Sequence, residues 1–203
     1  MKMSKGRLFV VSGPSGSGKD TILLGVFKRF PDIKFSISTI TRPMRCNEKP
    51  GEKYNFVSKN QFEDMLRNNE LLEYNTYLDN YYGTPKAPVI CAIANGEDII
   101  VEVDVNGAYQ IKNIMPDCIS IFIMPPSFEV LNQRLRSRGT ENEDRIKQRL
   151  EVAIKEISRA DEYDYLIIND DLNKAISDFS DIIKADRFRT DRNISFLKNY
   201  LNK

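Results

Sequence analysis

Short runs of aliphatic and β-branched residues alternate along this chain with longer stretches in which apolar residues recur every three or four positions. The runs are expected to form buried strands, and they cover residues 7–11, 98–105, 118–124 and 165–170. Helical spacing follows the first run as far as Pro31, and later stretches predict helices at about 107–114, 127–138, 142–161 and 172–187. Strands that alternate with helices predict an α/β fold with a parallel central sheet flanked by helices.

Two polar segments interrupt this alternation. Residues 35–84 mix arginine, glutamate and tyrosine with short β-like stretches, and a helix at 59–69 begins with the capping box Ser58-x-x-Gln61. Residues 133–150 are dense with arginine around a Gly-Thr turn. We expect both segments to project from the sheet edge that carries the ligands. The C-terminal residues 185–203 are expected to form a charged, solvent-exposed helix.

Composition narrows the class of protein. The chain has 203 residues, of which 41% are hydrophobic and 29% charged, as in a folded globular domain. A net charge of +1 gives little support for binding to nucleic acid or to an anionic membrane. The apolar run near the N-terminus is too short for a signal peptide, and we find no membrane-spanning segment. We therefore expect a cytoplasmic protein.

The sequence contains no histidine, which excludes Ser-His-Asp triads, Cys-His pairs and HExxH zinc sites. The three cysteines are scattered without a CxxC pair, which argues against a cysteine-based zinc site or a disulfide framework. Any chemistry must therefore depend on carboxylates, hydroxyls, cationic side chains and a bound metal ion.

The stretch GPSGSGKDT, residues 13–21, lies between the first predicted strand and the first predicted helix. Its glycines allow backbone N–H groups to turn toward phosphate oxygens at a helix N-terminus, and Lys19 adds a positive charge for the β- and γ-phosphates. We predict an ATP-binding loop made of Gly13, Pro14, Ser15, Gly16, Ser17, Gly18, Lys19, Asp20 and Thr21.

Asp20 departs from the loop pattern, because a serine or threonine at this position normally holds Mg²⁺ through its hydroxyl. Either Asp20 or the adjacent Thr21 could ligate Mg²⁺, or Asp20 could serve only as a negative charge in the first helical turn. A carboxylate without a metal would repel ATP, so we expect activity to depend strongly on Mg²⁺.

Four segments after the loop, residues 35–58, 71–89, 100–112 and 134–150, together resemble guanylate kinase. Each of the motifs TRP, NYYGTP and RGTE is weak alone, but their ordered combination is specific, and the resemblance runs from about residue 7 to 188. It implies transfer of a phosphoryl group from ATP to GMP with Mg²⁺. It also implies a P-loop core (1–34, 85–126 and 150–203), a GMP-binding lobe (35–84) and a lid (127–149).

The resemblance assigns a GMP site to the lobe. Arg42, Arg45, Tyr54 and Tyr82 match the contacts to the GMP phosphate, which arginine can bind with two parallel hydrogen bonds. Glu73 matches the glutamate that reads guanine, whose N1–H and N2 amine form a donor pair that adenine lacks. The remaining matches are hydroxyl contacts to the base, a second carboxylate near it and a residue beside the pocket: Ser38, Thr84, Asp104 and Glu48.

The resemblance also assigns the transfer step. Arg134, Arg138 and Arg149 match lid arginines that neutralise the transferring phosphate, so with Lys19 and Arg42 they complete the predicted catalytic set. Asn169 matches a segment near the donor adenine. No general base is needed, because the acceptor phosphate is already an anionic nucleophile.

Two alternatives remain open. Ribose 1,5-bisphosphate phosphokinases often carry the same loop with aspartate, although Glu73 and NYYGTP favour GMP as the acceptor. A guanylate-kinase-like domain that only binds peptides is the other, but the complete loop and the three lid arginines argue against it. Ile40, Met44 and Lys53 also depart from the family pattern without removing an expected ligand. The sequence leaves the oligomeric state open.

Overall fold

A computed structural model of the chain describes residues 5–46, 48–77, 79–137 and 143–201. The strands within these ranges are β1 (Leu8–Ser12), β2 (Lys34–Phe35), β3 (Ser38–Ile40), β4 (Tyr54–Phe56), β5 (Leu71–Tyr77), β6 (Asn80–Pro85), β7 (Ile99–Glu102), β8 (Ile119–Met124) and β9 (Tyr165–Ile168). The helices are α1 (Lys19–Arg29), α2 (Lys59–Arg67), α3 (Lys86–Ala94), α4 (Val105–Ile114), α5 (Phe128–Arg136), α6 (Glu143–Ile157), α7 (Leu172–Arg187) and α8 (Ile194–Leu201).

The strands form two sheets. The larger sheet has the order β2-β7-β1-β8-β9, with parallel pairing of β2 with β7 and of β8 with β9. The smaller sheet has the order β4-β3-β6-β5, in which β5 and β6 form an antiparallel hairpin. The predicted α/β fold with a parallel central sheet is confirmed, and a second sheet is formed by four strands between residues 38 and 85.

The chain divides into two compact units. The first, called the loop unit, contains Val11–Asp32 and Ile119–Lys203. The second, called the lobe unit, contains Lys5–Val10 and Ile33–Cys118. The division falls inside β1, so each unit includes part of that strand. The phosphate loop lies in the loop unit, and the segment predicted to recognise GMP lies in the lobe unit.

In the loop unit, α1 packs against α7. Ile22, Leu23 and Val26 of α1 are buried, as the helical spacing predicts. The two helices approach so closely at Gly25 that a Cβ there would lie 2.3 Å from the Cδ1 atom of Ile176. This contact fixes the helix that follows the phosphate loop.

In the lobe unit, α4 packs against β5, and α2 lies over β6. The ring of Phe62 on α2 stacks on Tyr81, with 5.1 Å between the ring centroids. The predicted capping box of α2 is confirmed, because Ser58 Oγ accepts a hydrogen bond from Gln61 N while Ser58 N donates to Gln61 Oε1. These contacts hold the hairpin that carries the candidate acceptor residues Glu73, Tyr82 and Thr84.

Two predicted strands and one predicted helix extend further than the observed elements do. The strand predicted to reach residue 105 ends at Glu102, because Asp104 caps α4 by accepting hydrogen bonds from the backbone N–H groups of Asn106 and Gly107. The strand predicted to reach residue 170 ends at Ile168, and α6 ends at Ile157. Helix α3 was not predicted, although its buried Val89, Ala92 and Ile93 have helical spacing.

The prediction of a charged, solvent-exposed C-terminal helix agrees with the exposure of α8 but is wrong in two respects. Arg192, in the 3-10 turn before α8, is only 8% exposed and donates a hydrogen bond of 2.7 Å to the buried Asp186. Helix α8 itself exposes large apolar side chains such as Phe196 and Tyr200. No helix in the described ranges has the length and apolar character needed to cross a bilayer.

Candidate active site

The phosphate loop of the loop unit depends on glycine at two positions where backbone or side-chain atoms approach closely. Gly13 has a φ of 148°, and a Cβ there would lie 2.0 Å from the carbonyl oxygen of Ile123. Gly18 has a φ of 91°, and a Cβ there would lie 2.2 Å from Asn169 Nδ2. Any other residue would displace the loop, so the sequence pattern is explained by local geometry.

Lys19 is held over this loop. Its Nζ atom donates hydrogen bonds to Gly13 O at 2.5 Å and to Pro14 O at 3.3 Å. Helix α1 starts at Lys19, and Gly18 at its N-cap has no side chain that could cap the first turn. A cation and a helix N-terminus therefore meet at the loop, which favours a bound anion.

Asp20 and Thr21 lie in the first turn of α1, and both residues are exposed. Their oxygen atoms belong to the ligand class that Mg²⁺ prefers, and proteins usually bind Mg²⁺ through one or two carboxylates together with substrate phosphates. The donor set of this turn therefore fits a metal ion that arrives with a nucleotide.

Three of the residues predicted to assist the donor contact the loop or each other. Arg149 Nη1 donates to Ser15 Oγ at 2.7 Å, and Asn169 Nδ2 donates to Ser17 O at 2.7 Å. Arg134 Nη2 donates to the carbonyl oxygen of Asn169 at 2.9 Å. The fourth, Arg138, lies outside the described residues.

In the lobe unit, the strand register places five of the nine predicted acceptor residues on one face of the smaller sheet. Residues directly opposite one another in paired strands share a face, and the face repeats every second residue. Glu73 pairs with Thr84, and Ser38 pairs with Tyr54. Tyr82 lies two residues before Thr84 and opposite Ile40, so the face includes Ser38, Tyr54, Glu73, Tyr82 and Thr84.

Glu73 is a buried carboxyl group with one close hydroxyl donor. It is only 6% exposed, and Thr84 Oγ1 donates to its Oε1 atom at 2.7 Å. Burial raises the pKa of Glu73 to about 7; the hydrogen bond from Thr84 opposes this rise, and the negative charge of Asp104 adds to it. A carboxyl group that is partly protonated at neutral pH can lose its proton and become fully charged when hydrogen-bond donors of a ligand approach it.

Two residues beside Glu73 were missed by the sequence predictions. Asn75 Nδ2 donates a short hydrogen bond to Asp104 Oδ2, and Gly107 lies so close that a Cβ on it would be 2.8 Å from Glu73 Oε2. Asn75 could have been identified from its spacing, because it follows Glu73 by two residues on the same face of β5. Nothing in the sequence alone indicates that Gly107 approaches the carboxylate.

Arg42 has an acidic partner that the sequence did not reveal. Its Nη1 and Nη2 atoms donate to Glu48 Oε2 at 2.7 Å and Oε1 at 2.5 Å, and Arg45 N also donates to Oε2 at 2.8 Å. These donors lower the pKa of Glu48 to about 2, chiefly through the hydrogen bond from Arg42. The guanidinium carbon of Arg42 also lies 5.4 Å from the centre of the Tyr54 ring. The fork of Arg42 is thus preformed for an anion with two oxygen atoms.

The raised pKa of Glu73 predicts how folding stability changes with pH. Between its ordinary pKa of 4.5 and about 7, the unfolded chain loses this proton while the folded chain keeps it, so rising pH lowers stability. Glu73→Gln removes this penalty and can still accept a hydrogen bond from Thr84. As the pH rises from 4 to 8, the free energy of unfolding of the variant should therefore increase by roughly 3 kcal/mol relative to that of the natural chain.

Urea unfolding of both proteins across this pH range measures the gain. Glu70→Gln is the matched control, because Glu70 is an exposed neighbour of the same hairpin and its substitution should leave the pH dependence unchanged. A stability difference between Glu73→Gln and the natural chain that stays constant with pH would mean that Glu73 is not held protonated.

Comparisons with known proteins agree over most of the chain. The family model of guanylate kinase matches residues 5–186. The guanylate kinase of Carboxydothermus hydrogenoformans is 47% identical over 190 residues, which are 94% of this chain and 93% of the relative. The guanylate kinase of Methylococcus capsulatus is 45% identical over 190 residues, again 94% of this chain and 93% of the relative. The crystal structure of guanylate kinase from Anaplasma phagocytophilum superposes with a TM-score of 0.77 at 32% identity, covering 97% of this chain and 95% of that one.

Proposed function

This chain belongs to the guanylate kinase family, and we propose that it transfers the γ-phosphoryl group of ATP to GMP, giving ADP and GDP. The observation that supports GMP as the acceptor is the buried Glu73 carboxyl group, which accepts a hydrogen bond from Thr84 on the neighbouring strand β6. Guanine presents two adjacent donors to one carboxylate, whereas adenine does not, so a buried glutamate discriminates between the two bases.

The loop unit binds the donor in this proposal. Backbone N–H groups of the phosphate loop and the N-terminus of α1 receive the phosphates of ATP, and Lys19 neutralises the β- and γ-phosphates. Mg²⁺ bound to ATP supplies further charge neutralisation, and Asp20 or Thr21 would hold it. The two residues differ in charge, so the carboxylate of Asp20 would contribute more to metal affinity.

The lobe unit binds the acceptor. Arg42 and Arg45, with the hydroxyls of Tyr54 and Tyr82, hold the phosphate of GMP. Glu48 accepts hydrogen bonds from both terminal nitrogens of Arg42, so it orients the guanidinium group beside the phosphate position. Glu73 reads the base with support from four neighbours: Ser38, Asn75, Thr84 and Asp104.

Phosphoryl transfer places most of its demands on position and charge. The phosphate oxygen of GMP attacks the γ-phosphorus of ATP, and the bond from that phosphorus to the β,γ-bridging oxygen breaks. The acceptor is already anionic, so no side chain must remove a proton. Arg134, Arg138 and Arg149 neutralise the oxygens of the transferring group, which is the step most sensitive to preorganised charge.

The test is ADP formation from MgATP with GMP, AMP, UMP and ribose 1,5-bisphosphate offered separately. Turnover with GMP, and little with the other three, is the expected result. Turnover with the sugar bisphosphate in place of GMP would assign the chain to the other kinase class that carries aspartate in this loop. A chain that bound GMP but formed no ADP would instead be a binding domain.

Gly107→Ala tests the space beside Glu73. Alanine normally stabilises a helix relative to glycine, yet here its Cβ would lie 2.8 Å from Glu73 Oε2 and 3.1 Å from Val103 Cβ. We expect KM for GMP to rise by about tenfold, with a smaller change in kcat, because the displaced carboxylate is no longer aligned with the hydrogen-bond donors of guanine. Steady-state kinetics with varied GMP measures this change.

Asn113→Ala is the control, since Asn113 is exposed on the same helix and its substitution should leave KM unchanged. A Gly107→Ala enzyme with an unaltered KM would show that the Glu73 carboxylate does not need this space.

A further inference from the structure

We propose that Asn169 is a positioning residue that fixes the phosphate loop relative to Arg134, the arginine on α5. The inference rests on the proposed phosphoryl transfer and concerns how its charged groups are kept in place. It differs from the expectation that Asn169 contacts the donor adenine. All the residues involved belong to the loop unit.

Asn169 follows β9 directly and is only 5% exposed. Its backbone is anchored to the sheet, because Asn169 N donates to the carbonyl oxygen of Met124 on β8 at 2.8 Å. Its side-chain amide donates to the carbonyl oxygen of Ser17 at 2.7 Å, in the middle of the phosphate loop. The residue therefore ties the loop to the end of the parallel sheet.

The loop is shaped to receive this amide. A Cβ at Gly18 would lie 2.2 Å from Asn169 Nδ2, so only a glycine leaves room for the amide against the backbone. The backbone of Gly18 is also in the left-handed conformation, with a φ of 91°. The close approach and the left-handed backbone are thus two independent reasons for a glycine immediately before Lys19.

The backbone carbonyl of the same residue holds Arg134. Arg134 Nη2 donates to Asn169 O at 2.9 Å, which fixes one edge of the guanidinium group. The Nη1 atom is buried, and no group in the described ranges accepts a hydrogen bond from it. A buried guanidinium nitrogen without an acceptor is costly, and a phosphate oxygen would satisfy it.

One residue therefore contacts both groups that must meet the phosphates of the donor: the loop through its side chain and the arginine through its carbonyl. Loosening the side chain releases the link between Ser17 and Arg134 without removing any charge. Because catalysis of phosphoryl transfer depends on preorganised charge, a small displacement should lower kcat by a larger factor than it weakens the binding of MgATP.

The experiment is a double-mutant cycle with N169A, R134A and the combined variant, assayed for ADP formation from MgATP and GMP. We expect N169A to lower kcat by about 10- to 100-fold in the natural chain. In the R134A background the same substitution should lower kcat by less than about twofold. Independent losses that simply multiply would overturn the proposal.

Two further arms separate positioning from other roles. With GTP in place of ATP as the donor, N169A should lower kcat/KM by the same factor, whereas a loss confined to ATP would assign Asn169 to the adenine and overturn positioning. N173A, at an exposed asparagine on α7, is the control and should keep natural kinetics. If N169A does not fold, N169L removes the same donor at nearly constant volume and carries the same test.

Calorimetric binding of MgATP without GMP separates this proposal from the proposed function. A natural chain that binds MgATP but does not phosphorylate GMP contradicts only the proposed function. The cycle is then evaluated on MgATP affinity, where N169A should weaken binding in the natural chain and leave it unchanged in R134A. Equal weakening in both backgrounds would overturn the positioning role.

Discussion

Replacement of Lys19 by alanine is expected to lower kcat for phosphorylation of GMP by about a thousandfold. The Nζ atom is already held by the carbonyl oxygens of Gly13 and Pro14, so the charge stands at the loop before the nucleotide arrives. A charge that needs little rearrangement stabilises the transition state more than a mobile one does. The substitution also removes the two contacts that hold the loop backbone, which adds to the loss.

Steady-state rates with saturating GMP and varied MgATP measure this effect. Lys28→Ala is the matched control, because Lys28 is an exposed lysine in the last turn of the same helix. It should retain natural rates and natural stability. A Lys19→Ala enzyme that kept more than about a tenth of the natural kcat would contradict the role assigned to this lysine.

Glu73→Gln is expected to lower kcat/KM for GMP by about 100- to 1000-fold while the low activity with AMP stays nearly constant. Glutamine presents one acceptor and one donor to a pair of guanine donors, so one N–H of the base meets another N–H. In the buried site, no water compensates for that mismatch. The ratio of kcat/KM for GMP and AMP is therefore the most direct measure of base recognition.

The pH dependence of kcat/KM for GMP provides a second test. GMP requires the carboxylate form, and the pKa of Glu73 is about 7 in the absence of ligand. For the natural chain, kcat/KM for GMP should therefore rise as the pH increases through 7 and level off above it. Glu73→Gln should lack this rise, whereas Glu70→Gln should keep it. A GMP-to-AMP ratio that is equal in the natural chain and in Glu73→Gln would remove Glu73 from base recognition.

Local sequence determined the elements that could be predicted. The phosphate loop follows from glycine spacing and the position of Lys19, and α7 spans the predicted residues 172–187. The capping box of α2 was also predictable, because both of its hydrogen bonds join residues three apart in sequence. The order of strands and helices predicted a parallel sheet, since each apolar run lies next to a segment with helical spacing.

The resemblance to a family, and not the pattern alone, singled out the acceptor residues. Glu73 follows two leucines and could equally have been the exposed face of a strand. Its burial is produced by the β5–β6 hairpin and by α4, which begins about thirty residues later in the sequence. Only the fold places Thr84 against the carboxyl group and the charge of Asp104 near it, and therefore only the fold raises the pKa of Glu73.

The donor loop, the α/β alternation and the types of side chain available for catalysis could be inferred without a structure, because they depend on residues close together in the chain. Which of those side chains contact one another depends on the folded structure. The pairing of Arg42 with Glu48 depends on how one loop folds back on itself. The link from Ser17 through Asn169 to Arg134 joins residues up to 152 positions apart. The contacts of Asn169 are set by the packing of whole elements, and no local pattern encodes them.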